Sequence, residues 1–268
     1  MGATLARPKE VNCMSRLMDS PFFVFLAAFV LLVVANCLGV LARRRRGSVD
    51  QDEREDLGLL IATTLSLLGL IIGFTFSMAI GRYDQRKNFE EEEANAIGTE
   101  YLRAELLPAP DAAKLKMLLT TYLDVRIAFY RASDRTEIDQ LGARIGQLQA
   151  SLWQTARIPA AAQSTPVLAL VLSGANDVIN SQGYAYAARR NRIPVAAWTL
   201  MVAVAVCANL LVGFGVRRTK SGTGLLAVLP LLIAVSFFLI ADIDSPRGGI
   251  VRIRPQNLLT LAESLRSN

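Results

Sequence analysis

Thr63, Ser66, Leu70, Gly73, Ser77 and Gly81 recur at intervals of three and four, which places them on one stripe of a helix. Small and hydroxyl-bearing side chains on such a stripe serve one of two ends. They let two helices approach closely, as the small-xxx-small pair Gly69 and Gly73 would. Or they line a wet path in which the bulky Leu70 and Phe74 form a hydrophobic neck that gates by dewetting. One helix cannot enclose a path, so the second use demands several copies around an axis. The remaining candidates are acidic. Glu90 to Glu93 follow Arg86 and Lys87 by one or two turns and read as a solvated face with local ion pairs. A carboxylate ring around an axis is the alternative. Glu93 and Asn95 lie among Ala94, Ala96 and Gly98, which suits a polar bond at a crowded helix contact. Asp242 and Asp244 precede Pro246-Arg247-Gly248-Gly249 and read as end-caps with arginine pairing rather than an oxygen-only metal site.

Several classes of chemistry are disfavoured. The chain has no histidine, which removes the commonest metal ligand and general base. Cys13, Cys37 and Cys207 have no spacing that would hold zinc or build a disulfide framework. No nucleophile with a base and no phosphate loop is visible, so the reading is of a non-enzyme with no cofactor. The net charge of +6 comes from basic residues clustered at the ends of apolar runs (Arg43 to Arg46, Arg189-Arg190, Arg217-Arg218 with Lys220), which flank a membrane and do not form a nucleic-acid stripe.

The elements that must position these residues are helices in a lipid solvent. A hydrophobic fraction of 52%, charge of only 19% and a mean hydropathy of +0.35 indicate an integral membrane protein. Four runs, near 22–41, 58–80, 195–216 and 223–241, reach the roughly 20 apolar residues a bilayer crossing needs. The first ends in four arginines, a stop-transfer flank and not a cleavage site. The expected organisation is an N-terminal tail at 1–21, spans one and two within 22–80, a helical extramembrane domain at 81–193, spans three and four within 194–241, and a C-terminal tail at 242–268. The second span has no breaker before Pro108-Ala-Pro110, so span and first domain helix should form one rod. A helix from Asp111 as N-cap to Tyr130, a third after Ser133-Asp134, a connector at Pro159 to Pro166, and a fourth helix to Arg192 complete an all-α bundle. Pro194 should break the chain before span three. Trp153 is read as a core anchor and Trp198 as a membrane-interface residue.

The segment from Gly73-Phe74 to Arg82-Tyr83 is similar to the pore-lining second helix of bestrophins, where a Gly-Phe pair precedes an arginine and an aromatic. Nearly the whole chain resembles the bacterial bestrophin-like family, through Arg82-Tyr83-Asp84, Glu93 to Thr99, Tyr101-Leu102-Arg103, Arg189 to Pro194 and Asp242 to Gly249. That resemblance implies a homo-oligomeric ion channel, pentameric, in a bacterial inner membrane, with lipids around it and both termini and the domain in the cytoplasm. Ser66, Leu70, Gly73, Phe74 and Ser77 would line the pore and neck. Arg82, Tyr83, Glu93 and Asn95 would mark its exit and vestibule, and the permeant ion would be an anion ahead of a cation. The second aromatic of the bestrophin pattern is Asp84 here and no acidic cluster follows the last span, so calcium gating is not implied. The alternative is a membrane-anchored sensor or scaffold whose bundle binds a partner. A stator-like proton pathway shares the order of elements, but no acid or base lies within the four apolar runs.

Overall fold

A computed structural model describes residues 20–46, 50–162, 165–216 and 225–267. The tail readings at 1–19 and the basic group Arg217, Arg218 and Lys220 lie outside them. The described residues form α1 (Pro21–Arg46), α2 (Gln51–Arg103) with a 3-10 turn (Ala104–Leu106), α3 (Ala109–Arg131), α4 (Arg135–Ala162), α5 (Pro166–Arg190), α6 (Val195–Gly215), α7 (Leu225–Asp244) and α8 (Gln256–Ser267), with no strand among them. Among the described residues, four helices are long and apolar enough to cross a membrane, those containing α1, α2, α6 and α7.

Two compact units emerge. The first comprises 1–81 and 192–252, the second 82–191 and 253–268. In the first, Ala28 and Leu32 of α1 pack with Met201, Ala205 and Ala208 of α6 and with Ile233, Phe237 and Ile240 of α7. Glycine sets the closest approach. A side chain at Gly39 would strike the Leu210 carbonyl, and one at Gly213 would strike the Asn36 carbonyl, both immovable backbone. Asn36, buried between them, donates Nδ2 to the Leu226 carbonyl at 3.4 Å. Trp198 is buried edge-on against Phe237, 6.0 Å between centroids, and is a packing residue more than an interfacial one.

In the second unit, α3 supplies Leu115, Leu119, Tyr122 and Leu123, α4 supplies Ile145, Leu148 and Leu152, α5 supplies Leu168, Val171 and Val178, and α2 supplies Ile97. Trp153 packs on this core from its edge. Local details differ from the sequence expectation. Helix α3 starts after Pro108, so Asp111 lies in its first turn instead of capping it; the two prolines and their fixed φ open the helix earlier. Asp134 does cap α4, accepting from the backbone N–H of Thr136 (2.9 Å) and Glu137 (3.1 Å). Helix α4 runs through Pro159, placed near its end, and so takes up the first part of the expected connector, as far as Ala162. Residues 253–268, expected as part of a tail, belong to the helical unit, because Leu258 and Ala262 of α8 complete its core.

Gly213→Ala or Gly39→Ala should force α1 and α6 apart and lower the thermal midpoint in detergent, an overpacking cost of about 1–3 kcal/mol. Gly142→Ala, where a Cβ meets open space on α4, should be neutral or raise it.

Candidate functional site

The stripe lies on the span portion of α2. Only 6% of the most apolar stretch of that helix is buried against its own chain, whereas the other three spans bury 28%, 28% and 39%. Leu68, Thr75 and Ala79 are the inward residues, while Thr63, Ser66, Leu70, Gly73, Phe74, Ser77 and Gly81 are all exposed. Leu70 is 55% and Phe74 66% exposed, and a Cβ at Gly69, Gly73 or Gly81 would meet nothing. Among the described residues, these three glycines therefore serve no packing. Thr63 donates its hydroxyl to the Leu59 carbonyl at 2.8 Å and Thr75 to Ile71 at 2.8 Å, so these two are satisfied along the helix itself.

Further along α2 the polar residues turn inward. Arg82 donates Nη1 to the Asn191 side-chain oxygen at 2.8 Å, and Tyr83 is half-buried. Arg86, Glu90 and Glu93 are buried, so the block read as a solvated face is divided: Glu91 and Glu92 are exposed, but the other two acids lie on the core side. Helical spacing explains the split, since Arg86, Glu90, Glu93, Ile97, Glu100 and Ala104 follow one another at three and four. Glu93 accepts both Nε and Nη2 of Arg126, the latter at 2.8 Å, and the Tyr130 hydroxyl at 3.2 Å. The Arg189 guanidinium stacks 3.8 Å from the Tyr130 ring centroid, with Arg126 5.3 Å from the same centroid. Burial, and then the Glu93 charge, pushes the Tyr130 phenol up to about 12. Asn95, expected at a crowded contact, is exposed.

Glu90 closes the start of α8. Its carboxylate accepts Leu258 N–H at 3.0 Å, one of the backbone donors that a helix start leaves over, and the Asn257 side-chain Nδ2 at 2.7 Å. Burial raises the Glu90 carboxyl, and these bonds oppose that. In the other unit, Asp242 accepts the N–H groups of Ile250 (2.6 Å) and Val251 (2.9 Å) across a close turn at Gly249, where a Cβ would lie 2.6 Å from its carbonyl and carboxylate oxygens. Asp244 accepts Ile193 N–H at 3.3 Å, in the break that Pro194 makes before α6. Both aspartates thus tie backbone N–H groups at element ends. Arg126, Tyr130 and Glu100 were not singled out from sequence. The signal that could have found their neighbourhood is the run of ionisable residues on the core positions of α2.

Helices, charge placement and the bare stripe define a class: an all-α integral membrane protein with four apolar spans and a helical domain between the second and third. A model of the Bestrophin-like domain matches residues 27–258, and the chain belongs to the bestrophin-like family. Among solved structures it is similar to a bacterial bestrophin homologue from Klebsiella pneumoniae, with 14% identity, a TM-score of 0.60, and coverage of 92% of this chain and 97% of that one. A tyrosine-to-alanine variant of that homologue matches at 13% identity and a TM-score of 0.60, covering 91% and 98%. A leucine-to-threonine variant gives 13%, 0.59, 92% and 98%. At these identities the likeness is one of fold. Among curated proteins none matches.

Arg126→Met should strand the buried Glu93 carboxylate and cost about 3–5 kcal/mol, read as a lowered unfolding midpoint. Combining it with Glu93→Leu should recover part of that loss, because no unpaired charge remains.

Proposed function

We propose that this chain forms a homo-oligomeric ion channel in which the span portion of α2 lines the pore. The observation that carries the reading is the bare stripe. Three of the four spans bury apolar surface against their own chain, while α2 leaves uncovered a row of glycine, serine and threonine residues punctuated by Leu70 and Phe74. Copies of one chain arranged around an axis would bring that row together and supply the wall a single helix cannot. Ser66, Gly73 and Ser77 would keep the path wet, and Leu70 with Phe74 would form the neck, where an apolar constriction controls passage by dewetting.

Family membership supports a channel over an enzyme, and the match to bestrophin homologues supports the same order of helices. Five copies, an anion as the preferred permeant ion, and a bacterial inner membrane with both termini in the cytoplasm belong to this proposal. Arg82 and Tyr83 would lie where α2 leaves the bilayer. Glu93 is committed to Arg126, so the acids open to a vestibule are Glu91 and Glu92. No resident cofactor, calcium site or nucleic-acid partner is part of it; lipids and further copies of the chain are.

Single-channel recording of the purified protein in planar bilayers, with a salt gradient and ion substitution, tests conduction and selectivity together. Phe74→Ala and Leu70→Ala should each widen the neck and raise unitary conductance. Unchanged currents in both would remove the neck assignment. Silence from a demonstrably folded oligomer would favour the sensor or scaffold whose helical unit binds a partner.

A further inference from the structure

Glu100 has no place in the conduction reading. It sits on α2 within the helical unit with no exposed surface, and neither carboxylate oxygen meets a hydrogen-bond donor among the described residues. Its two buried acidic neighbours differ in this respect: Glu90 is bonded by α8 and Glu93 by Arg126. Gly174 of α5 lies directly over Glu100. A Cβ at that position would collide with Glu100 Oε2 and stand 2.8 Å from Arg103 Nη1, so the acid's head occupies the space that any other residue would fill. Helix α5 can lie this close because position 174 has no side chain.

The charges acting on Glu100 are Arg103, one turn along α2, and Asp177 on the facing helix α5. Arg103 is shared: its Nη1 reaches the Leu170 carbonyl at 3.4 Å and Asp177 at 3.9 Å. An ionised carboxylate at this crossing would therefore have neither water nor a donor, whereas a neutral carboxyl avoids most of the desolvation cost. We propose that Glu100 is a proton-binding site, occupied in the packed domain, and that release of its proton loosens the contact between α2 and α5 at Gly174. Burial pushes this carboxyl up to about 8, with Arg103 drawing it down and Asp177 adding to the rise. The packing would thus respond to pH near neutrality.

The sign follows from linkage. A carboxyl raised from 4.5 to about 8 on folding means that the folded domain holds one more proton than the unfolded chain between those values. Stability then falls as pH rises through the window and levels off above it.

The test uses the full chain in detergent, with thermal unfolding followed from about pH 5.5 to about pH 9 for the wild type, E100Q and E90Q. The wild-type midpoint should drop by several degrees across the window. E100Q carries a neutral amide of the same shape, and its midpoint should lose most of that pH dependence, while E90Q should keep the part that Glu100 contributes. An E100Q slope equal to that of the wild type overturns the proposal. Infrared spectroscopy covers the case in which a variant fails to fold. The wild type should show a protonated-carboxyl absorption at about pH 6.5 that disappears by about pH 9. Its absence at the lower pH overturns the proposal whatever the variants do. Neither readout requires a current, so a protein that conducts nothing would leave this inference standing.

Discussion

Within the helical unit, the controlling constraint is that the core face of α2 carries ionisable residues where an ordinary bundle helix would carry leucines. Arg86, Glu90, Glu93 and Glu100 occupy positions that alternate with Ile97 and Ala104 along one face. A buried charge without a partner is expensive, so what the helices around α2 present to each acid matters. Helix α3 presents Arg126 and Tyr130 to Glu93, and α8 presents its N-terminal amides to Glu90. Helix α5 presents the bare backbone of Gly174 to Glu100. The specificity of the bundle follows from these unequal answers, since apolar layers alone would tolerate a slip of one turn more readily.

The span portion of the same helix obeys an opposite constraint. A Cβ at Gly69, Gly73 or Gly81 would meet nothing among the described residues, and lipid alone would gain little from a row of glycine and serine, since apolar side chains suit the bilayer better. Small residues on a membrane helix are useful where another helix or a wet path comes close. One helix thus combines a seam on which Glu90 and Glu93 find partners within the chain with a stripe of exposed small residues.

Much of this was legible from residue order. Four apolar runs, the uninterrupted rod through span two, the proline break before α6 and the alternation of domain helices all rest on periodicity and helix breakers, which act locally. Bestrophin-like membership was legible from short motifs and is carried by the family match. What sequence could not supply was which face of α2 turns inward. Glu90 to Glu93 look uniformly solvated when read as a block, because acids are rarely buried and the compensating partners lie 33 to 168 residues away. Asn95 shows the converse: small neighbours suggest crowding, and within this chain it falls on the outer side of the seam. Reading residues 242–268 as a tail leaves α8 unseen, because a 12-residue helix reveals its place only through the core it completes.

Helix α8 also gives the chain an interleaved plan. The polypeptide enters the helical unit at residue 82, leaves it at 191, passes through two further apolar helices, and returns at 253. Neither unit is a continuous stretch, so no single cut yields a self-sufficient fragment of either. During synthesis, the amides that satisfy Glu90 and the leucine that fills the core at position 258 emerge only after the last apolar helix has been made. The helical unit must wait, incompletely packed, while the remaining spans pass through the insertion machinery, and its final closure reports that they have been translated.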